Sequence, residues 1–388
     1  MHPLPFLHPY VPVPATWYLV PYVYNIISAT MAATTAKALT WRFQQPLLSS
    51  SKCRVVFCGP HFQAALPAVE AVLQSSSTLL ETEAVELIHA PDAAALAAVA
   101  PTAHIVVPFM ERLMADFIAT SPDLRLIMQY GVGLEGVDVA AATSHRVAVS
   151  NIPAEQSGNA AATAEHAVYL TMGLLRHAYD LDRRFSSQQL GGLPIPRTVV
   201  GKRITVVGHG AVGETVCRYL ATMGARVSAV RRRPWTLVEL ATVDGLQRVN
   251  SLSDALPCTD VLILACPVTP DTFNLVNSET LAQMPAGALV VNVGRGPLVE
   301  HAALVQALTT GHIGGYASDV GVGHSTKPSE PWDPADELTR LPNTMFTPHI
   351  GGYTDYSYDK MAAAVGTAIA CIVRSEPPPV WVNRDPLL

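Results

Sequence analysis

The chain has 388 residues, of which 49% are hydrophobic and 14% are charged, and its formal net charge is −6. At about 150 residues per domain, this length predicts two or three domains, and the composition excludes a disordered acidic or basic protein. An acidic balance without a basic block also excludes a nucleic-acid-binding surface.

The N-terminal segment differs from the rest of the chain. No Asp or Glu precedes Glu70, and residues 15–36 are uncharged and long enough to cross a bilayer. Prolines and polar residues interrupt this stretch and no positive flank precedes it, so we expect no membrane anchor. The acid-free, Ser- and Thr-rich sequence after Met31 suits an organellar transit peptide. We predict an extension over residues 1–52, used for targeting or disordered, and a location in the cytosol or an organelle.

From Cys53 onward, short apolar runs alternate with alanine-rich stretches of helical length. The runs are RVVFC, AVELI, HIVVPF, LRLIMQ and VAVSN. This alternation predicts βαβ units and a parallel sheet that is buried on both faces.

The alternation stops at residues 158–184, a segment long enough for a single helix of several turns. A second series of runs then begins at Arg203: RITVVG, RVSAV, DVLILAC, ALVVNVG, GYASDV and TMFTPHI. A last helical stretch, residues 356–373, has no sheet of its own, and we expect it to cross back and cover the first domain.

Two such series predict an α/β protein with two doubly wound parallel-sheet domains. We assign residues 53–152 plus 350–388 to a flavodoxin-like substrate domain. Residues 153–349 are assigned to a Rossmann domain that binds a dinucleotide.

The strand RITVVG leads directly into the motif GHGAVG, which an amphipathic helix follows. Gly208 permits a tight turn, Gly210 lets the backbone approach a pyrophosphate, and Gly213 lets the helix pack on the strand. The N-terminus of the helix offers N–H groups and a positive dipole end to the phosphates. We therefore predict that Gly208, Gly210, Ala211, Val212 and Gly213 bind the cofactor.

The end of the next strand, RVSAV, indicates which cofactor is preferred. An NAD site usually has an acid there, which holds the ribose 2′-hydroxyl. This chain has Arg231, Arg232 and Arg233 instead, and guanidinium groups attract a 2′-phosphate. We expect NADP, contacted by Arg231 and Arg232; NAD is the alternative if the arginines form only a solvated turn.

Three further motifs lie at the carboxyl ends of strands in the second series, where ligands bind in open α/β sheets. VNVGRGPLVE places Arg295 just past a strand, GYASDV contains Asp319, and TPHIGG contains His349. A planar guanidinium that is always charged suits a carboxylate. A histidine with an unperturbed pKa of about 6.5 suits proton exchange in both directions.

With these motifs together, the sequence resembles the D-isomer-specific 2-hydroxyacid dehydrogenase family from Cys53 to the C-terminal helix. The motifs are QYGVGLEGVD, GHGAVG, CPVTPDTFNLVN, VNVGRGPLVEHAAL, SEPWDP and TPHIGG. The resemblance implies hydride transfer between a nicotinamide and C2 of a small 2-hydroxy or 2-oxo acid.

The resemblance also implies a catalytic set. Arg295 would hold the substrate carboxylate and polarise the C2 oxygen, and His349 would be the general acid and base. The orienting glutamate of the family matches Glu330, which would raise the pKa of His349. The glycine-rich loop before Glu330 is longer than the family pattern, and Asp333 is the fallback.

Binding groups follow from the same resemblance. Backbone amides of Gly131, Val132 and Gly133 would form an anion nest for the substrate carboxylate. Asp319 would contact the nicotinamide side. Further cofactor contacts would come from Cys266, Pro267, Thr272, Val293, Gly294, Gly351 and Gly352. We interpret His209 as a tolerated surface residue and His166 as a packing or capping residue.

We therefore expect a reductase of glyoxylate or hydroxypyruvate that uses NADPH. Phosphoglycerate oxidation is an alternative, but the segment VVPFMERLM offers Arg112 without the Arg-Ser/Thr pattern of the family, and a C-terminal regulatory domain is lacking. A cofactor-sensing binding protein like the corepressors of this fold is a second alternative. The family is usually dimeric, so we expect a homodimer with residues 158–184 at the interface. No HExxH motif or CxxC pair occurs, and we predict no metal site.

Overall fold

A computed structural model describes residues 40–47, 52–59, 65–75, 84–109, 111–188, 195–235, 245–321 and 335–384. Residues 1–39 and 48–51 of the predicted extension lie outside these residues, so targeting stays a prediction. Trp41 and Phe43 lie inside them and are buried, where both rings pack edge-on against Trp381. Ordered packing therefore begins upstream of the predicted boundary at residue 52, because two large aromatic side chains bury there.

The first sheet has five strands, all parallel, in the order β2-β1-β3-β4-β5. This is the flavodoxin-like order, in which the chain reverses direction across the sheet beside β1. The elements are β1 (Cys53–Cys58), α1 (Ala65–Gln74), β2 (Val85–Ala90), α2 (Ala93–Val99), β3 (Ile105–Pro108), α3 (Ala115–Ala119), β4 (Leu126–Met128), α4 (Val139–Ser144) and β5 (Ala148–Ser150).

Two helices follow where a single one was expected. They are α5 (Asn159–Leu175) and α6 (Ala178–Ser186). The prediction of one helix was wrong at His177, whose φ of +54° breaks the run of helical dihedrals between them. Apolar residues of α5, Ala164, Leu170 and Leu174, pack in the core of the second sheet.

The second sheet has seven parallel strands in the order β12-β11-β10-β9-β6-β7-β8. The strand order reverses between β6 and β9, which is where a Rossmann sheet binds its ligand. The elements are β6 (Arg203–Val207), α7 (Ala211–Thr222), β7 (Arg226–Val230), β8 (Gln247–Val249), α8 (Leu252–Ala255), β9 (Val261–Leu264), α9 (Ser278–Ala282), β10 (Ala288–Asn292), α10 (His301–Thr309), β11 (Ile313–Ser318), α11 (Glu337–Arg340) and β12 (Thr344–Phe346).

The last helix, α12 (Asp355–Val373), packs in the core of the first sheet rather than the second. Its residues Val365 and Ile369 share that core with Val69 of α1. The two helices approach closely at Gly366, where a Cβ would lie 2.5 Å from a methyl group of Val72. The chain thus returns to the first sheet after completing the second.

None of the helices among the described residues has both the length and the apolar character that crossing a membrane requires. Within the same residues, no group of three or more His, Cys, Asp and Glu side chains is arranged to hold a metal ion.

Candidate active site

The glycine loop, residues 208–213, joins β6 to α7 at the point where the strand order reverses. Gly208 has φ +95°, and a Cβ there would lie 2.7 Å from the carbonyl oxygen of Ala265 on the neighbouring strand connection. A Cβ on Gly213 would overlap the carbonyl oxygen of Gly208. Gly210 is the N-cap of α7 and provides no side-chain cap, so amides of the first turn remain for a ligand. A pyrophosphate fits this helix end by charge and by hydrogen bonding.

His209, inside the glycine loop, is only 5% exposed. Its ring lies edge-on against Trp235, with the centroids 4.8 Å apart. The expectation of a surface position was therefore wrong, because the indole covers the imidazole.

The arginines after β7 take different positions. The guanidinium of Arg231 lies 4.5 Å above the Trp235 ring, and its Nε donates to the carbonyl of Arg233 at 2.8 Å. Arg231 therefore supports its own turn. The exposed Arg232 instead lies near the loop that follows β9, with Nη1 3.5 Å from Oδ2 of Asp271.

Arg295 follows β10 in a loop that its neighbours fix by hydrogen bonds. The side chain of the buried Asn292 accepts from the amide of Gly294 at 3.0 Å and donates to the carbonyl of Arg295 at 2.9 Å. The guanidinium donates to the carbonyl of Gly294 at 2.8 Å, and its Nη2 lies 3.5 Å from Oε1 of Glu135. Arg295 of the second sheet thus meets a carboxylate of the first.

His349 lies in the loop of residues 347–352, which we call the His349 loop. Its φ of +58° is unusual for a residue with a Cβ, and its amide donates to the carbonyl of Thr347 at 2.9 Å. Burial and the positive charge of Arg295 lower the pKa of His349, while the carboxylates of Asp319 and Glu135 oppose this shift. Arg295, Glu135 and His349 therefore interact electrostatically at one site.

Asp319, at the end of β11, lies beneath the His349 loop and is 3% exposed. Its Oδ1 accepts from the hydroxyl of Thr347 at 2.6 Å and from the amide of Ile350 at 2.9 Å, and its Oδ2 accepts from the amide of Gly351 at 2.8 Å. Burial raises the pKa of Asp319, but hydrogen bonds from His166, Thr347 and Gly351 outweigh it and hold the pKa below its usual value. The carboxylate therefore fixes the loop that carries His349.

His166 of α5, interpreted above as a packing or capping residue, belongs to the same hydrogen-bonded group. Its Nε2 lies 2.7 Å from the hydroxyl oxygen of Thr347 and 3.4 Å from Oδ1 of Asp319. The Thr347 hydroxyl donates to Asp319, so it accepts from His166. No sequence motif indicated the contact between His166 and Asp319, because the two residues lie far apart along the chain.

The loop after β4, residues 131–135, carries the predicted anion nest. The amide of Gly131 donates to the carbonyl of Gln129 at 2.9 Å. Within the described residues the amides of Val132 and Gly133 have no hydrogen-bond acceptor, and these two can donate to a bound anion. The loop is supported by Asn151, whose amide donates to the carbonyl of Val132 at 2.8 Å.

The remaining predicted cofactor residues divide into two groups. Cys266, Pro267 and Thr272 form a short loop beside Gly208, closed by the Thr272 hydroxyl donating to the carbonyl of Pro267 at 2.8 Å. Burial raises the pKa of the Cys266 thiol to about 11. The other group comprises residues whose backbone packs closely on neighbouring protein groups: Val293, Gly294, Gly351 and Gly352.

The predicted orienting glutamate, Glu330, and the fallback Asp333 both lie outside the described residues. No hydrogen bond joins the ring of His349 to another side chain among the residues that the structure describes. The partner of this ring therefore stays a prediction.

Comparisons with known proteins agree with this geometry. Residues 168–351 match the family model for the NAD-binding domain of D-isomer-specific 2-hydroxyacid dehydrogenases. The glyoxylate reductase of Pyrococcus furiosus is 30% identical over 289 residues, which cover 72% of this chain and 82% of that protein. The solved structure of the pyruvate reductase of Chlamydomonas reinhardtii superposes with a TM-score of 0.71 at 26% identity, over 84% of this chain and 98% of the other.

A longer relative is the D-3-phosphoglycerate dehydrogenase of Mycobacterium leprae. It is 31% identical over 303 residues, which cover 78% of this chain but 55% of that protein. The chain therefore spans little more than half the length of the phosphoglycerate dehydrogenases that it matches.

Proposed function

The chain belongs to the D-isomer-specific 2-hydroxyacid dehydrogenase family, and on that premise we propose that it reduces glyoxylate or hydroxypyruvate with NADPH. The observation that carries this proposal is that Arg295 and His349 lie in loops that follow β10 and β12, the two strands on either side of β11, and that Asp319 at the end of β11 fixes the His349 loop. A fixed cation and a titratable imidazole are the two groups that reduction of a 2-oxo acid requires from the protein.

In the proposed reaction, Arg295 and the amides of Val132 and Gly133 bind the substrate carboxylate. Arg295 also polarises the C2 carbonyl, and His349 gives a proton to the C2 oxygen. A bound nicotinamide supplies the hydride to C2. Arg295 lowers the pKa of His349 in the unliganded site, and a bound carboxylate offsets this charge, so substrate binding favours the protonated imidazole that the reaction needs.

The nicotinamide cofactor binds, in this proposal, along the glycine loop and the loop that contains Cys266. Preference for NADP rests on Arg232, which is exposed after β7 where an NAD site has an acid. We assign Arg231 to support of the turn rather than to direct phosphate binding, because it stacks on Trp235 and donates to backbone carbonyls. Arg232→Ala should raise the KM for NADPH about tenfold and leave the KM for NADH unchanged. A tenfold preference of the unmodified protein for NADH would contradict this assignment.

A phosphorylated substrate is the second candidate, favoured by the 31% identity to a phosphoglycerate dehydrogenase. A phosphate needs additional cations near the carboxylate nest. In the described residues 111–114, which follow β3, and 129–137, which follow β4, the charged side chains are the carboxylates of Glu111 and Glu135 and the exposed guanidinium of Arg112. This balance supports the smaller substrates.

The domain division and the assembly belong to the same proposal. We assign the first sheet with α12 to the substrate domain and the second sheet with α5 to the cofactor domain.

A homodimer is supported by three exposed apolar side chains on α5 and α6: Tyr169, Leu181 and Phe185. Phe185, 76% exposed, is the strongest candidate for an interface residue, and Phe185→Glu should convert a dimer to a monomer in analytical ultracentrifugation.

A substrate panel measured with NADPH and NADH tests the proposed reaction. We expect turnover of glyoxylate and hydroxypyruvate, with lower efficiency on 3-phosphohydroxypyruvate. Cofactor binding without turnover of any 2-oxo acid would instead favour the cofactor-sensing binding protein.

A further inference from the structure

We infer that Glu135 is an internal competitor for the substrate-carboxylate site and restricts the enzyme to 2-oxo acids with a single negative charge. The inference rests on the proposed function and names the substrate class of the same site. Glu135 lies within the motif QYGVGLEGVD, but neither that motif nor the proposed catalytic set assigned it a role.

The position of Glu135 places its carboxylate at the predicted anion nest. Glu135 belongs to the loop of residues 131–135 whose amides are proposed to bind the substrate carboxylate. A Cβ built on Gly133 would overlap Oε2 of Glu135, so this carboxylate lies directly against the backbone of the nest. The side chain of Glu135 therefore occupies the space over Gly133.

The negative charge of Glu135 faces the positive charge of Arg295. Oε1 of Glu135 lies 3.5 Å from Nη2 of Arg295, the group proposed to hold the substrate carboxylate. The backbone of Gly133 and the guanidinium of Arg295 are thus the neighbours of Glu135 as well as the proposed partners of the substrate. A carboxylate of the protein itself stands where an incoming carboxylate is expected.

The ion pair between Glu135 and Arg295 is exposed to water. The side chain of Arg295 is 44% exposed and that of Glu135 is 62% exposed. Ion pairs this exposed to water are weak and are easily replaced by another anion. An incoming carboxylate therefore displaces Glu135 from Arg295 or binds beside it.

The consequence for specificity follows from Coulomb's law. A second carboxylate or a phosphate on the substrate would lie near a fixed negative charge with few cations to offset it, and the repulsion grows with each added charge. Monoanions such as glyoxylate and hydroxypyruvate are affected least. The substrate class is therefore small 2-oxo acids without a second anionic group.

The test compares Glu135→Gln with the unmodified protein by isothermal titration calorimetry in the presence of NADPH. The probes are oxamate, a monoanionic analogue of a 2-oxo acid, and 3-phosphoglycerate. We expect Glu135→Gln to lower the Kd for oxamate several-fold and the Kd for 3-phosphoglycerate on the order of tenfold or more. Both gains should shrink when the ionic strength is raised to about 0.5 M.

Glu70→Gln is the matched control, because it removes an exposed carboxylate of α1, which packs on the same sheet, and Glu70 makes no ion pair with Arg295. It should change either Kd by less than about twofold. Glu135→Asp keeps the charge but shortens the side chain, and it should give an intermediate gain even if the glutamine variant folds poorly.

Weaker binding of oxamate to Glu135→Gln would overturn the inference, since it would make Glu135 a helper rather than a competitor. An equal gain for both anions would overturn the selection by charge. Oxamate binding by an unmodified protein that turns over no 2-oxo acid refutes the proposed function, while the variant still tests Glu135. Absence of any anion binding refutes both.

Discussion

The two sides of the candidate active site are built in different ways. On the cofactor side, Asp319 is 3% exposed and fixes the His349 loop through bonds to Thr347, Ile350 and Gly351. On the substrate side, Glu135 is 62% exposed and has one ion pair at 3.5 Å. Buried hydrogen bonds hold one geometry, whereas an exposed ion pair exchanges with solvent and ligands. We therefore propose that the buried hydrogen bonds keep His349 in position for proton transfer, whereas the exposed carboxylate of Glu135 influences which substrates bind.

The largest effect is expected on the cofactor side, from His349→Ala. Loss of the proton donor should lower kcat/KM for glyoxylate or hydroxypyruvate by about 10²- to 10⁴-fold. The Kd for NADPH, measured by fluorescence titration, should not change. His145→Ala, at the end of α4 and away from the site, is the control. Unchanged turnover of His349→Ala would remove this residue from the catalytic set.

A smaller loss is expected from His166→Ala, because His166 acts through Thr347 and Asp319 rather than on the substrate. Misplacement of His349 should lower kcat on the order of 10- to 100-fold, with little change in KM. Glutamine places an amide nitrogen near the position of Nε2, and His166→Gln should recover most of the activity. His166→Asn, whose amide is too short, should not.

Equal activity of the glutamine and asparagine variants would mean that His166 only fills space. Glu165→Gln, at an exposed neighbouring position of α5, controls for changes in the helix itself.

A moderate effect is expected on the pH profile of kcat/KM for reduction, which depends on groups from both sides of the site. Because His349 must be protonated to give a proton, kcat/KM should fall as the pH rises through its pKa. Burial and Arg295 lower this pKa, so the fall should begin below the value of an unperturbed histidine. Asp319 and Glu135 act in the opposite direction, and Glu135→Gln should move the descending limb to still lower pH. A shift to higher pH would contradict the assignment of the titrating group.

The smallest effect is expected from Asn151→Ala on the substrate side. It removes the single hydrogen bond from Asn151 to the carbonyl of Val132. In an exposed loop, loss of one such bond should raise KM about threefold to tenfold and leave kcat unchanged. A loss of kcat as large as that of His166→Ala would break the distinction between a fixed and an adaptable side.

Much of the fold was predictable because buried parallel strands require apolar runs. Each of the runs in the two series overlaps a strand. β8 was missed, because Gln247–Val249 is a three-residue strand at the edge of the sheet without an apolar run. The break at His177 was missed for a related reason, since helical periodicity continues through a single residue with positive φ.

The site residues also fall into two groups, those that local motifs indicated and those that depend on distant partners. Gly208, Arg295 and His349 could be found from motifs, because each follows a strand at the edge where ligands bind. Glu135 and His166 could not, because their roles depend on partners far along the chain. From the sequence, Arg231 and Arg232 were both predicted to contact the cofactor, whereas in the structure Arg231 stacks on Trp235 and Arg232 lies near Asp271.

The family, the two parallel sheets and the position of the glycine loop could be predicted from the order of the residues, because apolar periodicity and glycine spacing are local properties of the chain. The carboxylate that faces Arg295 and the histidine that supports the His349 loop could be known only from the folded chain. Such contacts depend on how separate elements pack, since hydrogen bonds and Coulomb interactions act through space and leave no pattern between neighbouring residues.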